Sequence, residues 1–271
     1  MKGILTLNTF LEYTLYFFIY AFLGWVCEVI YCYILDRKLV NRGMLKGPIC
    51  PIYGVGSIFI ITLLKDFKQH VLVVFILGLL ITSVIEYFSS FILEKAFQAK
   101  WWDYSENSLN INGRVCMQNS ILFGIMSVGL IKFIHPQISN IINISSLDII
   151  YLAVTFLVTI FMIDLLGSVS TLLNLNGILK EIKQNFLEFK ALDVTSQEVT
   201  DIDIKKAIEK TNIKKTLRKE NGDELIRNIL EKFKESNKEK RLFTAFPNIK
   251  HRKYNDELSK LKQFLFRIRK K

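Results

Sequence analysis

Three carboxylates, Glu28, Glu86 and Asp164, stand inside stretches that are otherwise apolar. An ionisable group in hydrocarbon costs at least about 2.5–3.5 kcal/mol, so each acid should face a protein interior or water and find a partner there. Their depths agree. Glu28 lies 8 residues before Asp36 and Glu86 lies 8 before Glu94, which at 1.5 Å per residue puts both about 12 Å beneath the point where charge resumes. Asp164 sits at a comparable depth if its helix ends near Asn174. Small or polar residues flank each acid about a turn away: Gly24 and Cys32, Thr82 and Ser90, Gly167 and Ser168. The pattern predicts a polar vestibule opening to one face. It fits equally well a set of acids that only satisfy helix–helix hydrogen bonds or salt bridges.

Two loops hold the other chemistry. Asn41–Gly56 reads NRGMLKGPICPIYGVG and Trp101–Asn119 reads WWDYSENSLNINGRVCMQN. Arg42, Lys46 and Arg114 in these loops can pair with Glu28 and Glu86, or bind an anionic group of a substrate. Asp103 and Tyr53 complete the candidate vestibule set. Trp101, Trp102 and Tyr104 read most simply as interfacial anchors. Cys50 and Cys116 precede the following helices and could meet, but no histidine lies near them in sequence, so neither a metal nor a cofactor is expected. The same absence argues against a histidine-dependent nucleophile. No G-x-x-x-x-G-K-[ST] occurs, so this chain is not itself an ATP-hydrolysing subunit, and enzymatic activity is left open with the balance against it.

The elements that must position these residues are apolar blocks. A span of the bilayer takes roughly 20 residues. Five blocks qualify or nearly so, at about Glu12–Leu35, Ile52–Leu64, Val71–Leu93, Asn119–Ile134 and Ile149–Leu173. The second and fourth are short and carry glycine, as broken or re-entrant helices lining a cavity do, and as tilted full spans do too. With the C-terminal tail inside, the N-terminus falls outside, and 32 Lys and Arg lie inside against Lys2, Lys65, Lys68 and Lys132 outside. The expected fold is therefore all-α and polytopic, N-out and C-in. A transmembrane domain covers 1–176 and a basic, helical cytoplasmic tail covers 177–271.

Composition supports that division. The chain is 51% hydrophobic with a net charge of +11. Residues 1–176 hold 11 basic against 10 acidic side chains, and 177–271 hold 25 against 15. The tail lacks any zinc-finger spacing, RNP-like motif or zipper, so nucleic acid is not the expected partner. Attraction to anionic headgroups is. Leu258, Leu261, Phe264, Leu265 and Ile268 share one face of a terminal amphipathic helix, with Phe264 and Leu265 as interface candidates toward the bilayer, the membrane domain or another helix.

The layout helix, loop, short helix occurs twice, with an acid at the same depth each time, which hints at a parallel repeat. Beyond that hint, GWVCEVIY, NRGMLKGPICPIYGVG, a membrane IEY, WWDYSENSLNINGRVC and the tail's RLFTAFPNIKHRKYNDELSKLK, in that order, resemble the CmpB-like family of type IV ABC-transporter permeases. The resemblance implies a multi-pass protein of the bacterial cytoplasmic membrane. Its signature positions would include Trp25, Glu28, Asn41, Arg42, Gly47, Pro48, Tyr53, Glu86, Trp102, Asp103, Tyr104 and Arg114. It further implies a permease subunit, with a separate ATPase, an unidentified solute and room for assembly with further copies of the chain. Two other readings stay open: a membrane scaffold or regulator acting through its tail, and an inner-face enzyme acting on lipid.

Overall fold

A computed structural model describes residues 2–37, 39–194, 237–256, 258, 259 and 262. Its regular structure is helical apart from short strands. α1 runs Lys2–Asp36, α2 Pro51–Leu64 and α3 Val71–Phe97. α4, Met117–Gly129, continues through a π-helical turn, Leu130–Ile134, into α5, His135–Ile144. α6 runs Leu147–Val194 and α7 Asn237–Ala245. Among the described residues, four stretches are long and apolar enough to cross a membrane: Leu7–Ile34, Val71–Phe97, Met117–Ile144 and Leu147–Gly177. Large apolar side chains along them, among them Phe88, Phe156, Ile163 and Leu166, are exposed, as a lipid-facing surface requires. The chain is a multi-pass membrane protein.

The fourth block, expected to be short, is not. Lys132, His135, Asn140 and Asn143 interrupt its hydropathy, yet the helix runs on to Ile144 because the π turn carries the backbone past Leu130 without a break.

The second block is truly short. α2 has 14 residues, about 21 Å of rise. The amide of Cys50, just before it, donates to the carbonyl of Ala21 at 3.0 Å. Ala21 is near the middle of Leu7–Ile34, so α2 begins halfway along α1. It then runs antiparallel back toward Leu11, where Leu64, Ile60 and Ile61 join the apolar core with Tyr16, Tyr20 and Ile131. Beside the rest of α1 lies non-helical backbone from Leu39 to Cys50. Its Leu45 is fully buried, and its Asn41 accepts a hydrogen bond from Trp25 Nε1 at 2.8 Å. Irregular backbone at that depth persists only where protein covers it.

α3 and α4 repeat the α1–α2 pair. Phe17, Val26, Glu28, Ile34 and Leu35 recur 58 positions on as Phe75, Val84, Glu86, Ile92 and Leu93. Tyr53, Gly54, Ser57, Ile60 and Ile61 recur 70 positions on as Phe123, Gly124, Ser127, Leu130 and Ile131. The contacts recur with the residues. A Cβ on Gly54 would come within 2.7 Å of the Phe17 carbonyl, and one on Gly124 within 3.1 Å of the Phe75 carbonyl. Glycine is needed at both crossings, because the paired helices approach backbone to side chain. The rings of Tyr53 and Phe123, equivalent positions in the two pairs, meet edge to face at 6.0 Å.

Two compact units divide the chain, Met1–Ser170 with Thr244–Ile249, and Thr171–Phe243 with Lys250–Lys271. Six C-terminal residues, Thr244–Ile249, contact the first unit and are part of it. Phe246 makes that contact: its ring packs on Trp101 at 4.8 Å, edge to face. In the second unit, buried His251 lies 3.1 Å from Asn176 Oδ1. Phe264 and Leu265, together with Leu225, Ile229 and Phe233, lie outside the described residues.

Candidate functional site

The repeated pairs bring two of the three acids together. Glu28 projects from α1, where Tyr53, in the first turn of α2, donates its hydroxyl to Glu28 Oε1 at 2.7 Å. Glu86 projects from the matching turn of α3 and is only 6% exposed. Its Oε2 is buried and has no hydrogen-bond partner. The phenol of Tyr104 lies against the Glu86 carboxyl and feels the charge of Glu28 as well. Each acid is thus faced by a tyrosine, one from a helix start and one from a loop. Tyr53 hydrogen-bonds Glu28, and Tyr104 lies within electrostatic reach of both Glu86 and Glu28, so the four side chains share one neighbourhood of the first unit.

Local hydrogen bonds fix the loop that delivers Tyr104. Its amide donates to Gly113 O at 2.8 Å, and Trp102 Nε1 donates to Arg114 O at 2.9 Å. A short antiparallel hairpin pairs Asn110–Ile111 with Val115–Cys116. Lys100 binds Asp103 Oδ1 at 2.8 Å, and that oxygen also accepts from Ser105. Burial disfavours the phenolate of Tyr104, and the charges of Glu86 and Glu28 add to the effect, so its pKa lies well above the ordinary tyrosine value.

The remaining candidates go elsewhere. Asp164 is not part of the acid pair. Its carboxylate accepts from the backbone amides of Lys46 at 3.0 Å and Gly47 at 2.7 Å, and from Ser168 Oγ at 3.1 Å. It pins the Leu39–Cys50 loop to α6. Arg114, a candidate partner for Glu28 and Glu86, instead binds Glu94 at 2.6 Å and Ser90 Oγ at 3.1 Å. Its guanidinium lies over the rings of Phe91 and Tyr87. The hydrogen-bonding fork is better satisfied by Glu94, near the helix end, than by an acid two turns deeper. Lys46 contributes its backbone amide, and its side chain is exposed. Half-buried Arg42 shows no side-chain ion pair or hydrogen bond among the described residues.

The aromatic residues also differ from the anchor reading. Trp101 is 3% exposed, covered by Phe97 and Phe246, and its indole N–H is buried with no partner. A ring enclosed by protein does not float at the headgroup level. Cys50 and Cys116 are buried free thiols, and among the described residues no group of three or more His, Cys, Asp or Glu side chains is placed to hold a metal.

Sequence reasoning missed Asn41 as the residue shaping the Leu39–Cys50 loop. Besides accepting from Trp25, it donates to Lys46 O at 2.7 Å and accepts from the Gly43 amide at 3.2 Å. An asparagine two before a glycine was the available signal. The residue-by-residue repeat was also available in the sequence, to be found by aligning the first and third blocks on their acids.

No curated protein and no solved structure matches the chain. A family model described as "Putative ABC-transporter type IV" matches residues 15–169, a stretch that holds both helix pairs, both loops and all three membrane acids. That match covers more than half of the 271 residues. The chain is a member of this ABC-transporter family.

Proposed function

We propose that the chain is the membrane-spanning subunit of an ABC-type transporter of the bacterial cytoplasmic membrane. The N-terminus faces out and the tail faces in, α2 serves as a half-length second membrane segment, and a separate ATPase supplies hydrolysis. The Glu28–Glu86 cluster is the polar point in the membrane through which a solute or a coupling proton is handled. One observation carries this reading: the Oε2 of Glu86 is buried without a partner at the same helical position as Glu28. A carboxylate oxygen left unmatched in hydrocarbon is costly, and such groups line pathways more often than they stabilise folds. The half-length α2, whose first turn presents Tyr53 to Glu28, adds support, because broken helices supply binding groups at mid-membrane in transporters. A basic tail suits an inner location.

The scaffold reading retains one supporting observation, the docking of Phe246 on Trp101, which ties the tail to the membrane domain. One preparation separates the two. The tagged full chain is purified in mild detergent from its native membrane and examined for a co-purifying ATPase. The transporter reading expects a stoichiometric ATPase whose activity falls at least tenfold with Glu28→Gln and Glu86→Gln combined. Recovery of the chain without any ATPase, or an ATPase indifferent to both acids, favours the scaffold.

A further inference from the structure

At the far end of α2 from the acid cluster lies a cleft of different character. It has a volume of about 350 Å³ and is lined by Lys65, Lys68, His135, Ser139, Asn140 and Asn143 over an apolar floor of Ile131 and Pro136. The two lysines come from the tight turn that ends α2, and the others from α5. No carboxylate lines it. Asp66 stands between the lysines in sequence but not in the lining, and among the described residues neither lysine has an ion-pair partner.

The histidine is held from behind. Tyr20, 2% exposed, places its hydroxyl 2.8 Å from His135 Nδ1, and the ring of Tyr16 packs edge-on at 5.1 Å. A buried phenol must give its proton to an acceptor, and Nδ1 is the acceptor within reach. That assigns the remaining ring proton to Nε2 and makes His135 a hydrogen-bond donor on its free edge. Two ammonium groups, an imidazole N–H, a hydroxyl and two carboxamides therefore converge on one cleft, at the small end of the volume range of small-molecule sites.

We propose that this cleft binds a phosphate group, from either a free solute or a lipid headgroup. Donors and positive charge without a competing carboxylate select an oxyanion. The lysines act as point charges rather than a planar fork, and the amides and hydroxyl supply direction. The cleft and the acid pair have no residue in common, so this inference stands apart from the transporter reading.

The test uses the purified full chain in detergent and follows its thermal unfolding midpoint against inorganic phosphate, with chloride at matched ionic strength as the reference. A saturable rise is expected in the unaltered protein. In Lys65→Gln/Lys68→Gln the half-saturating concentration should rise at least tenfold. Asn140→Asp, which sets a carboxylate into the lining at an exposed position, should do the same and keeps the test valid if the double variant is poorly folded. A parallel series in nanodiscs compares phosphatidylglycerol with phosphatidylcholine. Stabilisation by phosphatidylglycerol alone, lost in the variants, identifies a headgroup; stabilisation by free phosphate identifies a solute. If neither phosphate nor phosphatidylglycerol stabilises the protein, or if the variants respond as the unaltered chain does, the proposal is overturned.

Discussion

Asp164 and Glu86 are both acids in apolar helices, and the molecule treats them in opposite ways. Asp164 is saturated: two backbone amides and a serine hydroxyl close around its oxygens. Glu86, more deeply enclosed, keeps one oxygen without any donor. A carboxylate with several short donors is a structural clamp, and its removal orphans the amides it held. A carboxylate with a missing donor weakens the fold where it stands, so its presence calls for a functional reason. The same chemical group, a carboxylate in an apolar helix, thus meets two different surroundings, and only the donors around it tell them apart.

Substitutions should divide along that line. The largest effect is expected for Asp164→Ala. It leaves the Lys46 and Gly47 amides unmatched and frees the Leu39–Cys50 loop, for a loss of roughly 3–5 kcal/mol of stability, read as a large fall in the unfolding midpoint in detergent. Glu86→Gln should be neutral or stabilising by up to about 2 kcal/mol, because it removes a buried charge of the same shape. If the two variants behave alike, the distinction fails. Arg114→Gln should fall between them, at about 1–3 kcal/mol, because it strands Glu94 near the end of α3; adding Glu94→Gln should recover much of that loss.

The smallest effect is a pH dependence. Tyr104 has a raised pKa in the folded protein, so the neutral form favours folding. That contribution is complete below about pH 10, the ordinary tyrosine value, and is lost as pH rises toward the folded value. Unfolding midpoints measured upward from pH 9 should therefore fall more steeply in the unaltered chain than in Tyr104→Phe. Equal slopes would mean that the phenol is not enclosed as described.

How much of this was legible in the sequence varied with the physics involved. The first, third and fifth blocks were legible as α1, α3 and α6, because an unbroken apolar run of sufficient length has few alternatives to a membrane helix. The start of α2 beside the middle of α1 was not, because hydropathy counts residues and does not say which turns of two helices meet. Only the Cys50–Ala21 hydrogen bond supplies it. α5 was missed because its polar residues break the apolar run, although they face one cleft. Among the site residues, Glu28 and Glu86 could be set at one depth by counting back to the next acid. The partner of Arg114 could not, because Glu94 and Glu86 both lie within sequence range and only the loop geometry chooses. The burial of Trp101 was beyond local reading, since the covering Phe246 comes from a distant part of the chain.

Glu28 and Glu86 are described as facing one shared cluster, and a double-mutant cycle on stability tests that most directly. Unfolding free energies of Glu28→Gln, Glu86→Gln and the double variant are measured in the same detergent. A shared cluster predicts that the two changes do not add, with a coupling of about 1 kcal/mol or more. Additivity within about 0.3–0.5 kcal/mol would place the two carboxylates in separate surroundings and remove the basis for a common polar site.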